Sequence, residues 1–524
     1  MTKTIRTMTP FLLTEDTLLT IEDVVRASKG PAKIDFTPGV TERMRRSRAV
    51  VDAHVHGDIP VYGLNTGLGG NVGHRIRPDE IEDFQEQMVR GRIAGVGEPL
   101  PLETCRAALF CRIVALAKGG AGISPHVHAL MVEMLARDVI PAIPSRGSLG
   151  TGDLVILMSI AAVLIGRGTA YSQDRIVSGS EALAAAGLEP VKLGAKDGLA
   201  IGNASSATVA MAALSLDAVR TILSIHVAAA TLACEGYGVN PRIFDPRLAE
   251  ARPARGQVAA AVLFRLGLEG SDLHAPGAAR LVQDAISFRA LSQVTGSTFA
   301  AYQAAREAVE IELNAAADNP LVMAESGEIH SSANFHTPAI ALAFDTLAIA
   351  MTHLATGSAN RSIKLMTGRL SGLPNYLSPV GGASAGFVPM QKAISALQAE
   401  VRLKAAPASL DGLAVSDTVE DLAPQSALTV RKLDEQNEVT RWLISIEAML
   451  AAQACDLRAA DETRKLGPVG TAFKAITRSV IPALDIDRET GPDAEALHDA
   501  LWRAETVARI DALFAGVPSP ISMG

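Results

Sequence analysis

The sequence predicts a mainly α protein, a loop-rich N-terminal domain followed by a long central helical bundle, and three observations carry that reading. Hydrophobic residues make up 48% of the 524 and aromatics only 4%, so Ala, Leu, Val and Ile fill the interior, the mix of long packed helices rather than of a β-sandwich. Apolar residues recur at helical spacing over long stretches past residue 206. Gly- and Pro-rich punctuation such as YGLNTGLGG, GVGEPLP and IPAIPSRGSLGTGD concentrates in the first two hundred residues and breaks them into short elements.

In chain order, MRRSRAVVDAHV reads as a helix. The HxH pair His54 and His56 in DAHVHGD, echoed by PHVH at 125–128, therefore falls on helix rather than on a barrel strand, and we expect no metal centre. Residues 145–153, SRGSLGTGD, lead into the apolar run Leu154 to Ile165. Asp153 stands where an N-cap belongs, so the loop is expected at the positive end of a buried helix, where backbone N–H groups favour a carboxylate or developing negative charge. Helices are predicted over 206–235, 279–315, 336–366, 386–405 and 430–460. After Gly491-Pro492 a short amphipathic helix is expected, with Leu497, Leu501, Ala504 and Ala508 on one stripe. The domains are drawn at 1–205, 206–480 and 481–524.

The formal charge of −8 comes without a basic tract, which disfavours nucleic acid and anionic membranes and leaves a small molecule as the partner. Cys105, Cys111, Cys234 and Cys455 lack CxxC or paired spacing. They read as small buried hydrophobes in a reducing cytosol. MTKTIRTMTPFLL lacks the pattern of a signal peptide, Leu154–Ile165 is too short to span a bilayer, and the next apolar stretches are broken by Asp217, Arg220 or Asp345. A cytoplasmic protein is expected.

Polar islands interrupt the apolar helical sequence: YGLNTGLG (62–69), GLAIGNASS (198–206), QDAISFRALSQV (283–294), ELNAAADNP (312–320), HSSANFHTP (330–338) and DTVED (417–421). In this order, from about residue 15 to residue 460, they resemble the aromatic amino acid lyase family of histidine and phenylalanine ammonia-lyases and related aminomutases. The resemblance implies that fold, a homotetramer, and active sites assembled from several subunits. It also implies an electrophilic methylidene-imidazolone made from an Ala-Ser-Gly tripeptide within a motif like GSVGASGDLAPL.

Two departures stand against the usual chemistry. The loop here is GSLGTGDLVIL, one residue short, with Gly150 or Thr151 at the cyclising serine, and Ile286 stands where the family has a tyrosine. From these we expect no electrophile and no other cofactor. An ordinary ammonium then leaves poorly, whereas a trimethylammonium has no N–H to lose and leaves as a neutral amine. The expectation is accordingly a lyase releasing trimethylamine from an aromatic betaine, ergothioneine to thiourocanate, as in the family's ergothionase branch. The alternatives are an amino acid ammonia-lyase or aminomutase whose Gly150-Thr151-Gly152 loop still cyclises, and a non-catalytic family member that binds a betaine.

Site roles follow from the resemblance. Tyr62 falls at the family's catalytic tyrosine and is expected to abstract the β-proton. Arg289 and Asn203 are expected at the substrate carboxylate, and Gln283, Asn319, Phe335 and Glu420 at other pocket positions. Lys392, where relatives carry a neutral residue, is expected to pair with Glu420 and act on the ring. Arg92 falls at a ring-recognising position, and Phe335 with Glu420 would face the cationic amine. Asn314, Asp318 and His336 read as caps or loop anchors.

Overall fold

The computed structural model describes residues 8–172, 175–410, 412–461 and 464–519. Most of them are helical, and the strands form four small sheets. The described residues divide into two compact units: Met1–Asp217, Ala305–Phe344 and Pro407–Arg431 make the first, and Ala218–Ala304, Asp345–Ala406 and Lys432–Gly524 the second.

In the first unit, strand Thr9–Leu13 runs parallel to Ala32–Phe36, with Phe11 opposite Ile34. The intervening helix Ile21–Ser28 starts on a capping box, Thr20 with Asp23, which satisfies two otherwise orphaned N–H groups. Helix Leu154–Leu164 is apolar on every side and therefore core, buried from Ile156 to Leu164. Helix Pro38–Val55 carries His54, whose Nδ1 lies 2.8 Å from the Val50 carbonyl, and His56 follows as the C-cap. Among the described residues no group of three or more His, Cys, Asp or Glu is placed to hold a metal ion.

The second unit is built from long helices. It buries an ion pair: Arg361 and Glu447, 2% and 0% exposed, meet through Arg361 Nη2 at 2.9 Å. All four cysteines of the chain are free and buried.

Three elements differ from the sequence reading. The stretch 279–315 is not one helix but Ile286–Arg289 and Leu291–Leu313, preceded by irregular chain. The cause is Asp284, a buried carboxylate that accepts the Asn240 N–H at 2.8 Å and ties this segment to the turn after helix Ser206–Tyr237. The tail forms two helices, Thr490–Leu501 and Ala504–Asp511. Leu497 and Leu501 are buried, but the break shifts the phase, so Thr506, Val507 and Ile510 face inward while Ala504 and Ala508 are exposed. Finally, the helices that carry Asp217, Arg220 and Asp345 are continuous as predicted, but those charges do not keep the apolar stretches below the length and hydropathy of a membrane span. Asp197–Tyr237 and Pro338–Leu365 are long and apolar enough to cross a membrane, with 72% and 50% of their apolar windows buried inside the protein, and Asp345 is paired with Lys432 at 2.6 Å.

Candidate active site

Six of the nine predicted site residues, Tyr62, Arg92, Asn203, Asn319, Phe335 and Glu420, line one cavity of about 760 Å³ in the first unit, with the 147–155 loop in its wall. Gln283, Arg289 and Lys392 belong to the second unit. Gln283 and Lys392 are exposed, and the buried Arg289 Nε has no hydrogen-bond partner among the described residues.

Tyr62 sits in a turn that only a small residue permits. Gly63 has φ +66, and a Cβ there would lie 2.4 Å from Leu199 Cδ2. The chain then doubles back so that the Gly69 N–H donates to the Tyr62 hydroxyl at 3.0 Å. Arg92 closes helix Ile81–Arg92, where a cation complements the negative end of the helix dipole. Burial lowers its pKa, and the charges of Tyr62 and Glu420 act in the opposite direction. These three side chains therefore share one electrostatic environment.

Glu420 is presented by a tight turn in which Val415 pairs with Glu420 and Ser416, Asp417 and Thr418 all hold left-handed backbone, φ 54, 57 and 67. Three consecutive non-glycine residues in that region constitute strain stored at a site. Ser416 Oγ donates to Glu420 Oε1 at 2.7 Å and fixes the carboxylate. On another wall, Asn203 Nδ2 donates to the Asn319 carbonyl at 2.7 Å, and Asn319 Oδ1 accepts the Ser332 N–H at 3.0 Å, so both amides are oriented. Ser205 Oγ donates to the Phe335 carbonyl at 3.1 Å.

The loop at 145–153 is held from behind. Asp153 does not cap its own helix, as the sequence suggests: its carboxylate accepts Ser148 Oγ at 2.6 Å, and the N–H and Oγ1 of Thr208 at 2.8 and 2.7 Å. It thereby caps the following long helix, Ser206–Tyr237, and clamps the loop to it. Burial raises the Asp153 pKa, against the opposing effect of these donors. Glu312, beside it, is pushed up to about 7 by burial and by the Asp153 charge. Thr151 pairs with His336 in an antiparallel bridge. The Gly150 carbonyl accepts the Thr337 N–H at 3.1 Å and Thr337 Oγ1 at 3.2 Å, and Thr337 Oγ1 lies 2.7 Å from Ser426 Oγ.

The backbone-derived electrophile implied by the resemblance needs a carbonyl, a β-hydroxyl and an N–H on three consecutive residues. Gly150-Thr151-Gly152 supplies them, and the two Thr337 donors polarise the Gly150 carbonyl. In composition the loop fits the group, with threonine adding one methyl. The Ser148, Thr208, Thr337, Ser426 and Ser416 contacts were not legible in the sequence. Short hydroxyl side chains carry no periodic signal, and only SRGSLGTGD and HSSANFHTP hinted at them.

A tyrosine, an arginine and a glutamate around one cavity beside a clamped glycine loop, on this helical fold, define a carbon–nitrogen lyase. The chain belongs to the aromatic amino acid lyase family, whose model matches residues 19–479, and it has the histidine/phenylalanine ammonia-lyase-like fold. It is 39% identical to histidine ammonia-lyase of Anaeromyxobacter sp. (strain K), over 93% of this chain and 97% of that one, and 36% identical to histidine ammonia-lyase of Myxococcus xanthus (strain DK1622), over 96% and 98%. Among solved structures it resembles the ergothioneine-degrading ergothionase of Treponema denticola, in complex with desmethyl-ergothioneine sulfonic acid. That match has a TM-score of 0.90 and 30% identity, over 96% of this chain and 99% of that one. The greater identity to the histidine ammonia-lyases overturns the expectation of an electrophile-free, trimethylamine-releasing betaine lyase. That expectation gave the shortened loop more weight than the agreement of the whole chain.

Proposed function

We propose that the protein is an amino acid ammonia-lyase acting on histidine or a closely similar aromatic amino acid, in the reducing cytosol. What supports this reading most is the agreement with histidine ammonia-lyases along nearly the whole chain, together with the clustering of Tyr62, Arg92, Asn203 and Glu420 around one cavity. The reaction breaks the Cα–N bond and removes one β-proton, leaving a conjugated acrylate. Tyr62 takes the β-proton at its phenolic oxygen, which the Gly69 N–H holds in place. Arg92 and Glu420 hold the ring between a donor cation and an acceptor carboxylate. Asn203, oriented by Asn319, meets the substrate carboxylate. The electrophile that Gly150-Thr151-Gly152 is composed to form would supply the means to make the amine a good leaving group.

The assembly in this reading is a homotetramer in which Gln283, Arg289 and Lys392 of neighbouring copies complete each site. The free Nε of Arg289 is consistent with a carboxylate reaching it from outside its own chain.

The test is purified enzyme with histidine and, in parallel, ergothioneine, together with the protein's intact mass. Ammonia and the acrylate chromophore from histidine are expected, with a mass two waters below that of the sequence, one from ring closure and one from Thr151 dehydration. Trimethylamine from ergothioneine without ammonia from histidine, on a chain of unaltered mass, would overturn the reading.

A further inference from the structure

Asn203 and Asn319, the two amides of the cavity wall, stand on backbone that does not fix itself. Asn203 closes helix Asp197–Gly202, of only six residues, and Asn319 lies between helix Leu291–Leu313 and strand Leu321–Met323 in chain that belongs to neither. A single helical turn has little stability of its own, so something else must set these side chains.

Arg112 joins the two segments from behind. It is the one charged residue in the stretch AALFCRIVALA of helix Leu102–Ala117, is 1% exposed, and takes no part in lining the cavity. Its Nε donates to the Ala200 carbonyl at 3.0 Å. That carbonyl needs a donor, because the Ala204 N–H, which a continuing helix would give it, turns to the Gly202 carbonyl at 3.0 Å. Through Nη2, Arg112 also donates to Asp318 Oδ1 at 2.7 Å, one residue before Asn319. Ser332 Oγ donates to the Asp318 carbonyl at 2.9 Å. With the bond from Asn203 Nδ2 to the Asn319 carbonyl, these contacts close a ring through Arg112, Ala200, Asn203, Asn319 and Asp318.

Stability alone does not account for the Arg112–Asp318 pair. Apolar side chains in place of a buried ion pair are often neutral or stabilising. Asp318 Oδ2 is also buried with no hydrogen-bond partner among the described residues, at a cost of about 1–3 kcal/mol. What a planar guanidinium supplies is a fixed separation between the two backbones it bonds.

We infer that Arg112, anchored by Asp318, is a positioning residue for the substrate carboxylate: it touches no substrate but sets Asn203 against Asn319 in the geometry that receives that group. The inference rests on the proposed role of Asn203. A lysine at 112 keeps the charge but not the fork, and an asparagine at 318 keeps an acceptor oxygen without the charge.

The test compares two probes by calorimetry on the intact assembly, imidazole-4-propionate and 4-propylimidazole, which differ in the carboxylate alone. Arg112→Lys and Asp318→Ala are each expected to weaken binding of the acid about tenfold and of the neutral probe less than about twofold. Asp318→Asn should bind both as wild type does. In Arg112→Lys the KM for histidine should rise more than kcat falls. Melting curves identify the variants that fold, and the Asp318 pair carries the same comparison if Arg112→Lys does not. Equal weakening of both probes, or wild-type binding of the acid by Arg112→Lys and Asp318→Ala, would overturn the inference while histidine turnover by wild type leaves the proposed function standing. No ammonia from histidine in wild type would remove the proposed function and the inference with it.

Discussion

Tyr62 combines a fixed hydroxyl, a shared field with Arg92 and a place in the cavity wall, which is what a β-proton acceptor requires. Removing only its oxygen should therefore remove chemistry and spare structure. Tyr62→Phe is expected to lower kcat by roughly 10²- to 10⁴-fold at unchanged thermal stability, as read from steady-state assays beside a melting curve. Arg92→Met is expected to raise KM more than it lowers kcat, because in the proposed reaction the arginine would hold the ring in the bound substrate and the transition state alike. At this scale the sequence was informative wherever a polar or aromatic residue interrupted an apolar pattern, as with Asn203 in GLAIGNASS and Phe335 in HSSANFHTP. Ser416 was not legible, since its contact with Glu420 depends on a strained turn that no spacing announces.

At the scale of elements, the 145–153 loop is the most constrained part of the site. Gly150 has φ +80, and a Cβ there would stand 2.4 Å from Ser426 Oγ and 2.8 Å from Pro424 Cγ. Gly150→Ala should cost about 1–3 kcal/mol of stability and abolish turnover by displacing Thr151, checked by denaturant unfolding and activity together. Glu312 adds a pH dependence. Its carboxyl rises from the usual 4.5 to about 7 in the folded chain, so the folded state holds the proton over that interval more firmly than the unfolded one. Stability from this group is complete below about pH 4.5, declines as pH rises toward about 7, and is constant above. Glu312→Gln should flatten the fall in unfolding temperature across this window. The reading of Asp153 as a local N-cap failed here for a physical reason: its carboxylate serves Thr208, 55 residues onward, and a contact of that range leaves no mark on neighbouring sequence.

For the whole molecule, helix content and the order of the polar islands were legible because both depend on composition and period. The proposed assembly rests on resemblance alone in the sequence, and the surface bears on it. Val282 is 101% exposed and Ile286 63%, and between and beside them lie the exposed Gln283 and Arg289, whose buried Nε has no hydrogen-bond partner among the described residues. Apolar residues this exposed next to polar residues with unused hydrogen-bonding capacity suit a face covered by a second copy. If each site takes Tyr62 from one copy and Arg289 from another, two separately inactive variants should complement each other. Tyr62→Phe and Arg289→Met, coexpressed in equal amounts, would assemble at random, and about one quarter of the sites would then draw an intact tyrosine from one chain and an intact arginine from its neighbour. Recovery of about a quarter of wild-type turnover in the mixed assembly is the expected outcome, measured against the two pure variants at the same concentration. Activity no greater than the pure variants would mean that both residues act within one chain or that Arg289 takes no part, and either result would remove the shared-site assembly from the proposed function.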